Sequence, residues 1–497
     1  MPLVDPYDEL PYGDYAWQGS HPDQLAAVAL LRGLDPPPVE TARVLELGCA
    51  AGGNLIAMAE GLPGTQLVGL DRSRVQVEQG RARVAQLGFD HVTLVQGDLS
   101  DRAALDADPA LQGTFDYVIA HGLWSWMPAA ARQGLFRLAA ARLAPGGVLY
   151  LSADVLPGCR FRQISRDLLG FHDNPADPAD ARIDQARQIL SVMADACPPD
   201  SMHGAILTAE ARRAAQGEPS FLIHDRLSAD YEPVLLAELS RRAGAHGLRF
   251  VGDAQPSHMT PAGLPDALEA ALDAGDAGLL VRLQYADFVA RRVFRRALFT
   301  GPGAPLSWPL DPARLDALHV RGDVEVRDVS GDDARGVERA TFEAITAAYP
   351  GSVPVASLAQ SPADRDRVRA MVMQAWAADT VQLRLRPSPA AATLPDRPRA
   401  PAVARLQAAE GRPLVVNLLH GMVPVSPLYR VLLTAMDGRL DRGGLQAVAA
   451  VHAARGDLEV RSDGERVEDP IALAGLLSEP VSRALQELSR LGLVAAG

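Results

Sequence analysis

Residues 43–54, RVLELGCAAGGN, limit the fold more than any other stretch. Val44, Leu45 and Leu47 read as a short buried strand, which Gly48, Gly52 and Gly53 then break. Residues 55–60 have the composition of a helix. Strand, glycine turn and helix make the first βα unit of a nucleotide-binding sheet. Glycine suits the turn because backbone N–H groups must approach a ligand where a Cβ would intrude. An acidic partner is expected about 20 residues further on. Residues 66–70 read as a second strand, with Asp71 at its tip, placed to accept both hydroxyls of a ribose. Glycines alone would also fit an ordinary strand-to-helix turn, so the neighbouring segments decide.

Ser73 and Gln76 have the spacing of a capping box opening a helix to Leu87. Residues 92–96 form a third strand ending in Gly97-Asp98-Leu99. Residues 115–120 are a fourth, and 147–151 a fifth, entered through Pro145-Gly146. Polar residues cluster at the carboxyl ends, where open α/β sheets bind ligands. This order resembles the class I S-adenosylmethionine (SAM) methyltransferases. Their E-x-G-x-G-x-G loop is matched by Glu46, Gly48, Ala50 and Gly52, with Ala50 at the middle glycine. The resemblance implies a Rossmann-like α/β domain and SAM as cofactor. It implies that Glu46, Gly48, Cys49, Ala50, Gly52 and Asn54 surround the methionine part of SAM. Asp71, with Arg72 and Ser73, would hold the ribose, and Gly97, Asp98 and Leu99 the adenine. A nicotinamide dehydrogenase would need G-x-G-x-x-G, which the glycines after Gly48 do not make.

At 497 residues the chain needs two or three domains. The expected division is 1–170, a methyltransferase domain; 171–330, a mostly helical middle domain; and 331–497, an α+β, winged-helix-like unit. In the middle part, helices are expected at 205–215, 233–246 and 279–298, with one strand at 248–252. Arg291, Arg292, Arg295 and Arg296 would lie on the last of these helices, as a solvated face or an interdomain ion-pair set. Beyond it, helices are expected at 337–348, 364–376, 427–436, 444–454 and 480–493, a strand at 380–386, and a hairpin-like turn at 461–465. The Pro/Ala-rich residues 387–401 read as a linker.

Net charge −13 argues against a nonspecific nucleic-acid binder. Residues 387–497 hold twelve Arg and twelve acidic residues, a poor balance for a DNA reader, so docking of a substrate or partner is expected there. All 48 basic residues are Arg. A GC-rich genome explains that, and so would a lysine-modifying enzyme that avoids modifying itself. Cys49, Cys159 and Cys197 show neither a disulfide framework nor a zinc pattern, and no metal is expected. The first 18 residues are acidic and aromatic, unlike a signal peptide, and no apolar run is long enough for a membrane span. The cytoplasm is the expected location.

Tyr7, Tyr12, Tyr15 and Trp17 cluster near the N-terminus of a chain with 5% aromatics. They read either as an arm pinned to the surface or as a lid over two cations, the SAM sulfonium and an ammonium acceptor. A helix with proline in its first turn follows at 22–32. After the fourth strand comes His121-Gly122-Leu123-Trp124-Ser125-Trp126-Met127-Pro128, with no N-P-P-Y or D-P-P-Y motif. Together with Ser20-His21-Pro22 and the glycine loop, these stretches resemble bacterial methyltransferases with an attached methyltransferase regulatory domain. That family includes rickettsial protein lysine methyltransferases. It implies methylation of lysine in a protein or peptide. The alternatives are a small-molecule N- or O-methyltransferase, or a catalytically silent SAM-fold scaffold. A homodimer is compatible with this reading. Free lysine has a pKa near 10.4, so about one in a thousand is neutral at pH 7.5. The proton is lost either to His121 as base or by desolvation against aromatic walls from Tyr12, Tyr15, Trp124 and Trp126. His121 bonded to the cofactor loop or the backbone is the third reading.

Overall fold

The computed structural model describes residues 6–261, 263–324, 333–462, 465–467 and 469–496. Val4 and Asp5 of the N-terminal cluster, and residues 463–464 of the hairpin, lie outside the described residues.

Seven strands form one sheet in the order β3-β2-β1-β4-β5-β7-β6. They are β1 (Arg43–Leu47), β2 (Gln66–Asp71), β3 (Val92–Gln96), β4 (Phe115–Ala120), β5 (Leu143–Asp154), β6 (Arg249–Asp253) and β7 (Phe294–Thr300). β1 to β5 run parallel, and β7 is antiparallel to both β5 and β6. Side chains alternate between the two faces with the strand period. Val148 and Tyr150 enter one core with helix Pro22–Leu31, while Leu149 and Leu151 enter the other with helix Ala129–Arg142. The chain reverses strand order between β1 and β4, and the carboxyl ends of these strands open there as a cleft.

The last two strands come from the middle of the chain, so the sheet is not confined to residues 1–170. The expected helix 279–298 is corrected. The helix is Leu279–Ala290; Arg291, at φ +49°, caps it in the left-handed region, and β7 follows. Arg295 is therefore a strand residue with no exposure, paired to Asp287 at 2.6 Å and Asp253 at 3.3 Å. It is not part of a solvated helix face. Helices Arg160–His172, Ala179–Ala196 and Met202–Gln216 form a separate small core around Leu169, Leu190 and Leu207.

Residues 331–497 are also two things. Val372 and Leu383, together with Val320 before them, pack into the core under helix Pro22–Leu31. Residues 391–494 have a core of their own, built on Leu432, Leu445, Leu473 and Leu485. Here the final helix starts at Pro470, not at residue 480, and carries Pro480 inside it to Arg490.

Candidate active site

A cavity of about 630 Å³ opens at the carboxyl ends of β1, β2, β4 and β5. Its wall includes Glu46, Gly48, Cys49, Ala50, Asn54, Asp71, Arg72 and His121, as the sequence predicts. Gly48 sits at φ +73°, in the left-handed region that favours glycine, and a Cβ there would crowd the Leu123 side chain at 3.0 Å. Ala50 takes φ +50°, a conformation in which its extra methyl costs roughly 1–2 kcal/mol. The reward is geometric: the Ala50 N–H donates to Asp71 Oδ2 at 2.8 Å, and the Ser73 N–H donates to Oδ1 at 2.9 Å. Asp71 is thus locked at the tip of β2 before any ligand arrives.

Glu46 is buried, and burial pushes its carboxyl up to about 8 against the pull of the Asn54 amide. Asn54 Nδ2 donates to Glu46 Oε1 at 2.7 Å, whereas Glu46 Oε2 is buried with no partner. A cationic group entering beside it would satisfy that oxygen. The glycine loop, the fixed Asp71 and this unsatisfied carboxylate fit SAM.

Several expected site residues lie outside the cavity wall. Gly52 caps helix Gly53–Ala59 at φ +76°, and Ser73 caps helix Arg74–Leu87 by accepting from Gln76 N at 3.1 Å. The capping box is not reciprocal, because the Gln76 Oε1 is buried without a partner. Beyond β3, Asp98 is exposed and bonds the Ser100 N–H at 2.7 Å, Leu99 is buried in the core, and a Cβ on Gly97 would meet Leu70 at 2.9 Å. Trp124 is 1% exposed and packs on Phe136 at 4.9 Å. Its neighbour two residues on, Trp126, lines the cavity and stacks on Tyr231 at 4.7 Å. The short 3₁₀ turn Trp124–Trp126 points the two rings in different directions, which adjacency in sequence does not reveal.

His121 stands at the end of β4, its Nδ1 2.8 Å from the Tyr150 hydroxyl and its ring under Trp17 at 4.2 Å. Burial, and then the nearby Arg296, push it down to about 3. Burial thus disfavours the protonated imidazole.

The N-terminal arm closes the cavity. Helix Pro6–Glu9 sets Asp8 on the Ser73 hydroxyl at 2.6 Å. Tyr7 stacks on His224 at 4.2 Å, the Tyr12 hydroxyl donates to Asp225, and the Tyr15 hydroxyl donates to Glu218. His224 and Asp225 belong to a π-helical turn, Leu222–Arg226, of a kind that often marks functional sites. Burial holds the Asp225 carboxyl above its ordinary value. Asp154, at the end of β5, accepts from Arg162 at 2.7 Å and from the Tyr231 hydroxyl at 2.9 Å. Asp154, Asp225, Gln255, Arg296 and Gln382 all line the cavity, and none of them was expected there from the sequence.

Three family models match. One described as a methyltransferase domain covers residues 45–149, one described as a predicted methyltransferase regulatory domain covers 218–300, and one described as the PKMT C-terminal winged helix domain covers 396–493. The chain carries a methyltransferase domain, a regulatory domain and a PKMT-type winged helix domain. The regulatory domain holds β6 and β7, so it completes the sheet of the methyltransferase domain. PKMT2 from Rickettsia typhi, solved in complex with AdoHcy, has the same fold, with a TM-score of 0.84 over 98% of this chain and 100% of that one, at 20% identity. An uncharacterized protein of Rickettsia prowazekii is 32% identical over 295 residues, 59% of this chain. That match spans about half of the relative, 52% of its length. Trans-aconitate 2-methyltransferase of Acidovorax is 29% identical over 187 residues, 36% of this chain and 66% of that protein. Among the described residues, no helix is long and apolar enough to cross a membrane.

Proposed function

We propose that the chain is a SAM-dependent methyltransferase whose acceptor is the side-chain amine of a lysine in a protein or peptide. The sign of the cavity wall carries this reading. Asp14, Asp71, Asp154, Asp225 and Asp379 outnumber Arg72, Arg162 and Arg296. Such a wall attracts cations, and a sulfonium cofactor and an ammonium acceptor are both cations. A tricarboxylate, the substrate type in the name of the trans-aconitate relatives, would be repelled. Tyr12, Trp126 and Phe221 add aromatic faces, which hold cations by about 0.5–2 kcal/mol.

Bound SAM supplies an electrophilic methyl group. The chain's own part is to orient, exclude water and take a proton. With SAM bound, the glycine loop would bring backbone close to it, and Asp71 would be the acceptor for its ribose hydroxyls. Trp17 stacks on His121 at the cavity wall. Desolvation beside one cation disfavours a second, so the ammonium gives up its proton there. Asp154 and Asp225 stand on the same cavity wall as carboxylates that face the departing proton.

Calorimetry with SAM tests the first half; binding no tighter than millimolar would end the enzyme reading and leave the scaffold. For the second half, labelled SAM is incubated with lysine-containing peptides, small amines and tricarboxylates, followed by mass spectrometry. Label on lysine is expected. Label confined to small molecules would reject the protein substrate.

A further inference from the structure

The chain has three asparagines, and two of them, Asn54 and Asn417, stand at the ends of one hydrogen-bonded link between the winged helix domain and the glycine loop. Asn54 is buried at the start of the helix that follows the loop. The orientation of its amide is fixed by its other partners. Oδ1 accepts from the Trp17 N–H at 2.9 Å, and Nδ2 donates to Glu46 Oε1 at 2.7 Å and to Ser20 Oγ at 3.1 Å. His420 Nε2 lies 2.7 Å from the same Oδ1. An amide oxygen only accepts, so His420 Nε2 carries the hydrogen. Burial keeps the imidazole neutral, with its pKa down to about 3.

The turn that presents His420 is itself built. Asn417 Oδ1 accepts from Leu419 N at 3.1 Å and Gly421 N at 2.7 Å, and Asn417 Nδ2 donates to Leu491 O at 2.7 Å. His420 is held at φ +61°, where residues with a Cβ are uncommon and persist when their surroundings over-determine them. The same turn accepts from Gln18 Nε2 on Leu419 O, at 3.2 Å, just after the arm. An incidental domain contact would need neither the strained residue nor the buried donor aimed at the loop.

We propose that this turn of the winged helix domain braces the cofactor site from behind: His420 fixes the Asn54 amide, and through it Glu46 and the arm at Trp17, in the arrangement that SAM meets. His420 is then a positioning residue, and the winged helix domain is needed for cofactor affinity as well as for any docking. The inference rests on SAM being the cofactor, but its test has one arm that does not.

The full chain is compared as wild type, His420→Gln, which keeps an N–H donor, and His420→Phe, which keeps the bulk without one. His420→Ala replaces the Phe variant should that one not fold. Calorimetry with SAM and with AdoHcy is expected to show Gln near wild type and Phe weakened about 3–10-fold, the range of one hydrogen bond. Hydrogen exchange of the ligand-free proteins is expected to be faster across residues 46–56 and 16–20 in Phe than in Gln. Equal affinities together with equal exchange in the Phe variant would overturn the proposal and leave a packing contact. If wild type itself binds neither ligand, the methyltransferase reading fails, and exchange alone decides whether His420 positions the loop.

Discussion

Glu46 makes cofactor binding depend on pH. Its carboxyl, pushed up to about 8 by burial, is protonated at pH 7 in the free protein. A bound cation favours the carboxylate, so binding releases a proton. SAM affinity is expected to fall as pH drops below 8, by up to about tenfold per unit. Calorimetry at pH 7 in two buffers of different ionisation enthalpy should give different apparent enthalpies, and Glu46→Gln should remove the difference. The two neighbouring tryptophans should separate in a second experiment. Trp124→Ala leaves a hole against Phe136 and is expected to cost about 3–5 kcal/mol of stability, read from denaturant unfolding. Trp126→Ala should leave unfolding nearly unchanged and lower turnover at saturating SAM. His121→Ala should remove no titration near pH 6–7 from the rate profile, because burial already holds that ring neutral.

What the sequence made legible is local. β1 to β5 announce themselves because each ends in a turn whose residues sit next to the strand, as Gly48 and Asp71 do. β7 was hidden for the opposite reason. A glycine after helix Leu279–Ala290 would have marked its end, but Arg291 takes the left-handed position instead, so the helical pattern runs on in the sequence where the helix itself has stopped. Arg291→Gly is therefore expected to raise stability by about 0.5–1 kcal/mol, measurable as a shift in the denaturant midpoint. Of the residues expected to hold the cofactor, Glu46, Gly48, Cys49, Ala50, Asn54, Asp71, Arg72 and His121 line the cavity, whereas Gly52, Ser73, Gly97, Asp98 and Leu99 do not. Asp154, Asp225 and Gln382 were not legible, since only tertiary folding brings them to the cavity. His420 was beyond reach as well, since only the folded chain sets it against Asn54.

The parts are tied into one body by buried charge. Asp23, with no exposure, accepts from Arg384 at 2.6 Å and from Arg386 at 3.0 Å, joining helix Pro22–Leu31 to the strand Gln382–Arg384 and the residues after it. Asp23→Asn would leave Arg384 buried without its counter-charge, and a loss of about 3–5 kcal/mol is expected in equilibrium unfolding. The sheet makes a comparable tie in the order of the chain. Residues 1–170 alone should be insoluble on expression, while a chain ending at residue 300, checked by size-exclusion chromatography, should keep more material in solution. The reason lies in synthesis. When β5 leaves the ribosome its partner β7 is still about 140 residues away, so a long apolar strand waits with one side unpaired, open to any other strand it meets. The helices Arg160–His172, Ala179–Ala196 and Met202–Gln216 are made during that wait, and the nascent protein spends it as an aggregation-prone half-sheet that a chaperone would recognise.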